Sequence, residues 1–243
     1  MQNTTLVSAF IKNVNNRYDK TFDTYMQNGA LLLQANVSKI IFADNETYAT
    51  IKHLENSSTK IVAVTKSECY LYDNRNKITN FTLNTDNNTK DTLEYILTIC
   101  SKTEWIYKAI ALNPFNTPNY TWVDFGIRHV FKCDNNTFIT KIESLNDKVY
   151  NSLRIASIWD LKCSYNINLY TDIAWYFAGG VFGGEKTALK LFSKKMKEMC
   201  LRIIRERGTL MWEVNVWYLI YKENPTLFDC YYCDHNDSLI DNY

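Results

Sequence analysis

The sequence predicts an α/β fold built on a mainly parallel sheet, and three observations carry that prediction. Short apolar, β-branched runs alternate with segments of helical spacing over roughly the first sixty residues, the pattern of strand–helix–strand units. A later strand-like run closes on an acid and a glycine, Asp124-Phe-Gly126, and in such sheets ligands bind at the carboxyl ends of strands. The 243 residues, 46% hydrophobic and 14% aromatic, contain only three prolines and seven glycines, so a single domain with a sizeable core is expected over 1–243.

The elements follow in order. Thr5–Ile11 reads as a buried strand, with Lys12–Asn16 as the loop after it. Residues 19–35 place Phe22, Tyr25, Met26, Leu32 and Leu33 near helical spacing, interrupted by Gly29. Ser38–Ala43 and Lys60–Val64 read as the next strands, with a short helix over Glu46–Leu54 between them. Residues 66–91, crowded with Asn, Thr and Asp, read as a loop or short excursion. Thr92–Leu112 has a helical pattern stopped by Asn113-Pro114, and Tyr120–Gly126 follows as a strand. Phe138–Ile142 and Leu153–Ile158 read as strands, Glu185 to about Arg207 as a helix, and Leu210–Tyr221 as the last apolar block. A nucleotide-binding half of about 1–126 and an acceptor or catalytic half of about 127–243 are expected.

Charge excludes some functions. Lys and Arg number 27 against 26 Asp and Glu, which gives no bulk attraction for nucleic acid or an anionic membrane. No apolar stretch reaches the length of a membrane span, and Met1–Thr5 has neither a basic nor an apolar leader region, so a soluble protein made in the cytosol is expected. The seven cysteines are odd in number and scattered, so reduced thiols are expected. Cys230-Tyr-Tyr-Cys233 has CxxC spacing without a second pair, and half-buried strand residues are the preferred reading over zinc.

Four of the seven glycines fall within Gly179-Gly-Val-Phe-Gly-Gly184, ahead of the predicted helix. Such a cluster allows close approach of a ligand to backbone, or a tightly packed turn from strand to helix; it is neither GxGxxG nor GxxxxGK[ST]. Glu213 lies in the otherwise apolar Gly208–Trp217 stretch, where a carboxylate is costly unless it is paired or functional.

Asn113-Pro-Phe-Asn-Thr-Pro-Asn-Tyr-Thr-Trp-Val-Asp-Phe-Gly-Ile127 resembles the asparagine-proline-phenylalanine and tryptophan–aspartate–glycine signature of HtrL/YibB-type proteins. The resemblance runs from the Leu6–Phe10 strand through Gly179–Gly184 to Trp212-Glu-Val214. It implies a glycosyltransferase A fold, Rossmann-like with helices flanking the sheet, and glycosyl transfer linked to cell-surface polysaccharide synthesis. Tyr176–Gly184 and Trp212-Glu213 are also similar, more distantly, to blood-group-type galactosyl and N-acetylgalactosaminyl transferases. Where those enzymes carry Asp-x-Asp, Asp124-Phe-Gly126 retains only the first acid.

The resemblance implies a nucleotide-sugar donor, uridine diphosphate sugars first, a glycan or other hydroxyl acceptor, and Mn2+ or Mg2+ held by Asp124 with His235. Asp124 and Glu213 are the implied catalytic residues, Glu213 either as base for the acceptor or as the carboxylate beside the anomeric carbon. Ala9, Phe10, Asp124 and Gly126 would meet the nucleotide sugar, Ala9 and Phe10 on fold analogy. Lys108 would reach the diphosphate unless it is simply a solvated lysine. Asp172, Trp175, Gly179, Gly180, Phe182 and Gly183 would line the acceptor and sugar region. A non-catalytic carbohydrate-binding protein and a nucleotide-sugar hydrolase are the competing readings.

Overall fold

The computed structural model describes residues 2–12 and 21–243. Strand β1 (Thr4–Phe10) is followed by helix α1 (Phe22–Gln34), capped by the Thr21 hydroxyl, which accepts from Thr24 N. Then come β2 (Lys39–Ala43), α2 (Asn45–Ile51) and β3 (Thr59–Ala63), with Asp44 capping α2 through Glu46 N and Thr47 N. All five residues of β2 are buried, as expected for a strand covered on both faces. Parts of the predicted 12–16 loop and 19–35 helix lie outside the described residues.

The stretch read as a loop holds 3-10 turns at Lys66–Glu68 and Arg75–Lys77 around a short helix, α3 (Tyr70–Asp73). The predicted 92–112 helix is two, α4 (Leu93–Cys100) and α5 (Lys102–Leu112), because Ser101 breaks it at ψ −2° while its hydroxyl donates to Leu97 O. β4 (Asn119–Val123) ends one residue before Asp124. Phe138–Ile142 is not a strand but lies inside α6 (Asn135–Ser144), since the Asp134 carboxylate caps Asn136 N and Thr137 N and starts a helix that overrides the β-branched composition.

β5 (Leu153–Ser157) and β6 (Phe177–Glu185) precede the long α7 (Lys186–Arg207), α8 (Glu213–Glu223), β7 (Phe228–Tyr232) and the short α9 (Ser238–Asp241). The glycine run is therefore the interior of a strand rather than a turn before a helix. Gly184 sits at φ +146°, where its backbone meets Ser152 O and a side chain would be strained.

Among the described residues the strands form one seven-stranded sheet in the order β3-β2-β1-β4-β6-β5-β7. All neighbours pair in parallel except around β6, which is antiparallel to both β4 and β5. The chain leaves β1 toward β2 and β3 on one side and returns to β4 on the other. That reversal opens a crevice beyond the carboxyl ends of β1 and β4, the usual ligand position in open α/β sheets. Two buried clusters cover the faces, one including Trp105, Trp122, Phe182, Phe192 and Trp217, the other including Leu32, Phe125, Phe138 and Ile142. All seven cysteines are free; Cys230 is half-buried in β7 and Cys233 buried just after it. Among the described residues no helix is long and apolar enough to cross a membrane.

Candidate active site

A pocket of about 340 Å³ opens at the reversal point. Part of its wall is aromatic, with Phe10 stacked on Phe125 at 5.2 Å between ring centroids and beside Tyr25 at 5.5 Å. Tyr95, Trp175, Trp212 and His235 also line it, Trp175 and His235 with ring centroids 6.0 Å apart. Asp124, Gly179, Gly180 and Glu213 belong to the same wall.

Four separate segments meet on one cation. Lys102, the first residue of α5, donates from Nζ to Asp124 Oδ2 (3.2 Å), to Gly179 O (3.0 Å) and to Glu213 Oε1 (2.9 Å), and its ion pair with Asp124 closes to 2.9 Å at Oδ1. Its side chain is 7% exposed, against 8% for Glu213 and 39% for Asp124. Burial alone would lower the Lys102 pKa, but the charges of Asp124 and Glu213 outweigh it and hold the ammonium above the ordinary lysine range. Trp122 Nε1 donates to Asp124 Oδ1 at 2.6 Å, and the Asp124 backbone N–H donates to Gly180 O. Asp124 is thus fixed from β4, β6 and α5 together.

Glu213 occupies the first turn of α8, where the helix dipole favours a carboxylate. A side chain on Gly179 would place its Cβ 2.5 Å from Glu213 Oε1 and 3.3 Å from Lys102 Nζ, so glycine is what lets the carboxylate pack against β6. Half-buried Tyr95 also lines the pocket, its hydroxyl pushed well above its usual range by desolvation first and then by the charges of Glu213 and Asp124. It stays a hydrogen-bond donor at neutral pH.

The structure brings together many of the residues named from sequence: Ala9, Phe10, Asp124, Gly126, Trp175, Gly179, Gly180, Glu213 and His235 all line the pocket. Others lie elsewhere. Lys108 sits a turn and a half further along α5 than Lys102, pairs with Glu104 and donates to Glu68 O, away from the pocket. Asp172 is held outside by Asn84 Nδ2, Thr171 Oγ1 and the Asn168 backbone N–H. Phe182 points into the core against Trp122, Phe192 and Trp217, and Gly183 lies within the sheet, its position crowded by Tyr120 O. This follows from their position along the strand: Gly183 and Phe182 belong to the stretch of β6 paired with the interior of β4, and only the start of β6 reaches the crevice.

The residue that sequence reading missed is Lys102. A signal existed in Ser101-Lys-Thr-Glu104, which has the pattern of a helix start and would have split the predicted helix there. Nothing local in the sequence pairs it with Asp124 or Glu213, 22 and 111 positions away.

Among the described residues, no group of three or more His, Cys, Asp or Glu stands together as a metal-binding cluster. No curated protein matches the chain. Solved structures give likenesses of general architecture. Mouse xyloside xylosyltransferase 1 in its apo form is 12% identical at a TM-score of 0.48, covering 94% of this chain and 85% of that one. Rv0371c from Mycobacterium tuberculosis, crystallised with manganese, is 9% identical at a TM-score of 0.45 over 96% and 89%. The 4-diphosphocytidyl-2C-methyl-D-erythritol synthase of Anaerococcus prevotii is 6% identical at 0.46, over 96% and 88%. At these scores none of them speaks to donor, acceptor or metal. The family model described as "Bacterial protein of unknown function (HtrL_YibB)" matches residues 2–240, and the chain therefore belongs to the HtrL/YibB family.

Proposed function

We propose that this protein is a glycosyltransferase of the glycosyltransferase A type, moving a sugar from a nucleotide-sugar donor, uridine diphosphate sugars first, to a hydroxyl of a glycan or glycoconjugate. The observation that carries the reading is the convergence of Asp124, Glu213 and the Gly179 carbonyl on Lys102, in an aromatic-lined pocket at the sheet's reversal point. The Phe10, Tyr25 and Phe125 rings suit a nucleobase, and Trp175 and Trp212 suit a sugar face.

In this reading the base lies by Phe10, Tyr25 and Phe125, and the sugar lies against Gly179 and Gly180, toward Trp175 and Trp212. Transfer breaks the bond from the anomeric carbon to the diphosphate oxygen and forms one to the acceptor oxygen. The acceptor proton must leave, and positive charge develops on the sugar. Glu213 is the carboxylate at that centre: Lys102 is its only hydrogen-bond partner among the described residues, through Oε1, which leaves Oε2 to act on the reacting groups. Asp124 orients the donor and, through Lys102, fixes Glu213.

A divalent ion is implied by the resemblance, with Asp124 and His235 as ligands. Asp124 Oδ1 already accepts from Trp122 and lies 2.9 Å from the Lys102 ammonium, and Oδ2 accepts from Lys102. A dication on Asp124 would stand beside a buried positive charge, so these donors do not fit a divalent ion and the transfer steps above use none.

The test is incubation with a panel of nucleotide sugars and glycan acceptors, followed by mass spectrometry. Glycosylated acceptor with stoichiometric nucleoside diphosphate is expected. Free sugar without modified acceptor would instead mark a hydrolase, and an untouched donor panel would mark a carbohydrate-binding protein.

A further inference from the structure

Lys102 is a buried charge that the transfer chemistry does not itself consume. An ammonium has three N–H donors, and here three acceptor groups, two anionic and one carbonyl, take them within 3.2 Å. Two carboxylates and a backbone carbonyl form the kind of oxygen set that holds a hard cation. Trp122 Nε1 holds Asp124 through Oδ1, and Glu213 is set by its place at the start of α8, so the cage stays in place around whatever cation it contains.

We propose that the Lys102 ammonium is the resident cation of this site, standing where a divalent ion would join Asp124 to Glu213, so that nucleoside diphosphate binds without a divalent metal. The Asp124–Glu213 pair becomes a metal site only when the lysine is removed. Lys102 keeps Asp124 and Glu213 from facing the diphosphate as an unscreened pair of charges, and the lysines that would meet it are Lys12 and Lys90, which also line the pocket while pairing with Glu46 and Asp91 at its edge. The diphosphate half of the proposal rests on the transferase reading; the cation exchange rests on the cage alone.

The experiment follows Mn2+ by electron paramagnetic resonance in nucleotide-free wild type, Lys102→Ala and Lys102→Gln. Each variant is expected to bind one Mn2+ at least about tenfold more tightly than wild type, and adding Asp124→Asn should abolish the gain. Because either variant can lose stability when two buried acids lose their cation, circular dichroism melts with and without Mn2+ run in parallel. Mn2+ should raise the melting temperature of the variants and leave wild type unchanged. Variants that take up Mn2+ no better than wild type, with no thermal rescue, overturn the cation exchange. Calorimetry of uridine diphosphate with wild type should give dissociation constants within about threefold in EDTA and in Mn2+, and a larger gain with Mn2+ overturns metal independence. Failure to bind in both conditions contradicts the transferase reading, while the Mn2+ titrations still decide the role of the lysine.

Discussion

Replacing Gly179 by alanine perturbs the site by a single methyl group. The added Cβ would lie 2.5 Å from Glu213 Oε1, about 1 Å inside ordinary contact, and 3.3 Å from Lys102 Nζ. Glu213 must withdraw, and a shift of that size stretches its 2.9 Å bond to Lys102 beyond hydrogen-bonding range. Overpacking costs about 1–3 kcal/mol, and loosening a buried ion pair approaches 3–5 kcal/mol when one partner is lost. A loss of about 3 kcal/mol is therefore expected, or roughly 6–12 °C in melting temperature for a chain of this size. Gly180→Ala is the control, because its Cβ would meet the end of the Ile127 side chain at 3.2 Å, which can rotate away, at a cost below about 1 kcal/mol. Thermal melts give the stability difference, for which Gly180→Ala is the reference, and donor turnover gives the functional one, with a loss of at least about tenfold expected for Gly179→Ala. Equal melting temperatures for the two variants, with wild-type turnover in Gly179→Ala, would refute the packing argument.

Further outcomes follow from the same geometry. Glu213→Gln keeps the shape and removes the charge, so kcat should fall by about 10²–10⁴ with donor affinity little changed; a lowered melting temperature with unchanged kcat would make Glu213 a structural carboxylate. Trp122→Phe deletes the 2.6 Å bond to Asp124 and should lower kcat/KM by about tenfold, read by initial rates, while the ring still packs. Asn215, fully buried, accepts from Ala174 N and donates to Leu169 O and Asp172 O; Asn215→Leu strands those groups and should cost about 2–4 kcal/mol in denaturant unfolding. Lys39, 1% exposed, is lowered by burial to about 8. A base with a lowered folded pKa weakens the fold below that value and recovers its penalty as pH rises from about 8 toward 10.5. Met at this position strands Ala35 O and Thr59 Oγ1, to which Lys39 donates, so the test is the slope: the stability of Lys39→Met relative to wild type should fall as pH rises from about 8 toward 10 in pH-resolved melts.

Much of this architecture could be read from local pattern, because β1 to β5 are apolar runs whose burial matches their composition. Asp124 was visible as an acid at a strand end, and Glu213 as a charge in an apolar block. β6 was not, since glycine is depleted in strands and the reason for it here is tertiary: Glu213 presses on Gly179, and Ser152 O on Gly184. Phe182 and Gly183 were assigned to the pocket for the same reason, because a turn would have exposed what a paired strand buries. In α6 a capping aspartate outweighed strand-forming residues. Lys102 depends on contacts across more than a hundred residues of sequence, which no local pattern encodes.

The most direct measurement of the central claim is calorimetry of uridine diphosphate against wild type and Phe10→Ala. The account predicts one site per chain in wild type and at least about tenfold weaker binding in Phe10→Ala, since a ring stacked on Phe125 at the proposed base position is lost. Absence of binding by any nucleoside diphosphate, or wild-type affinity in Phe10→Ala, would contradict it.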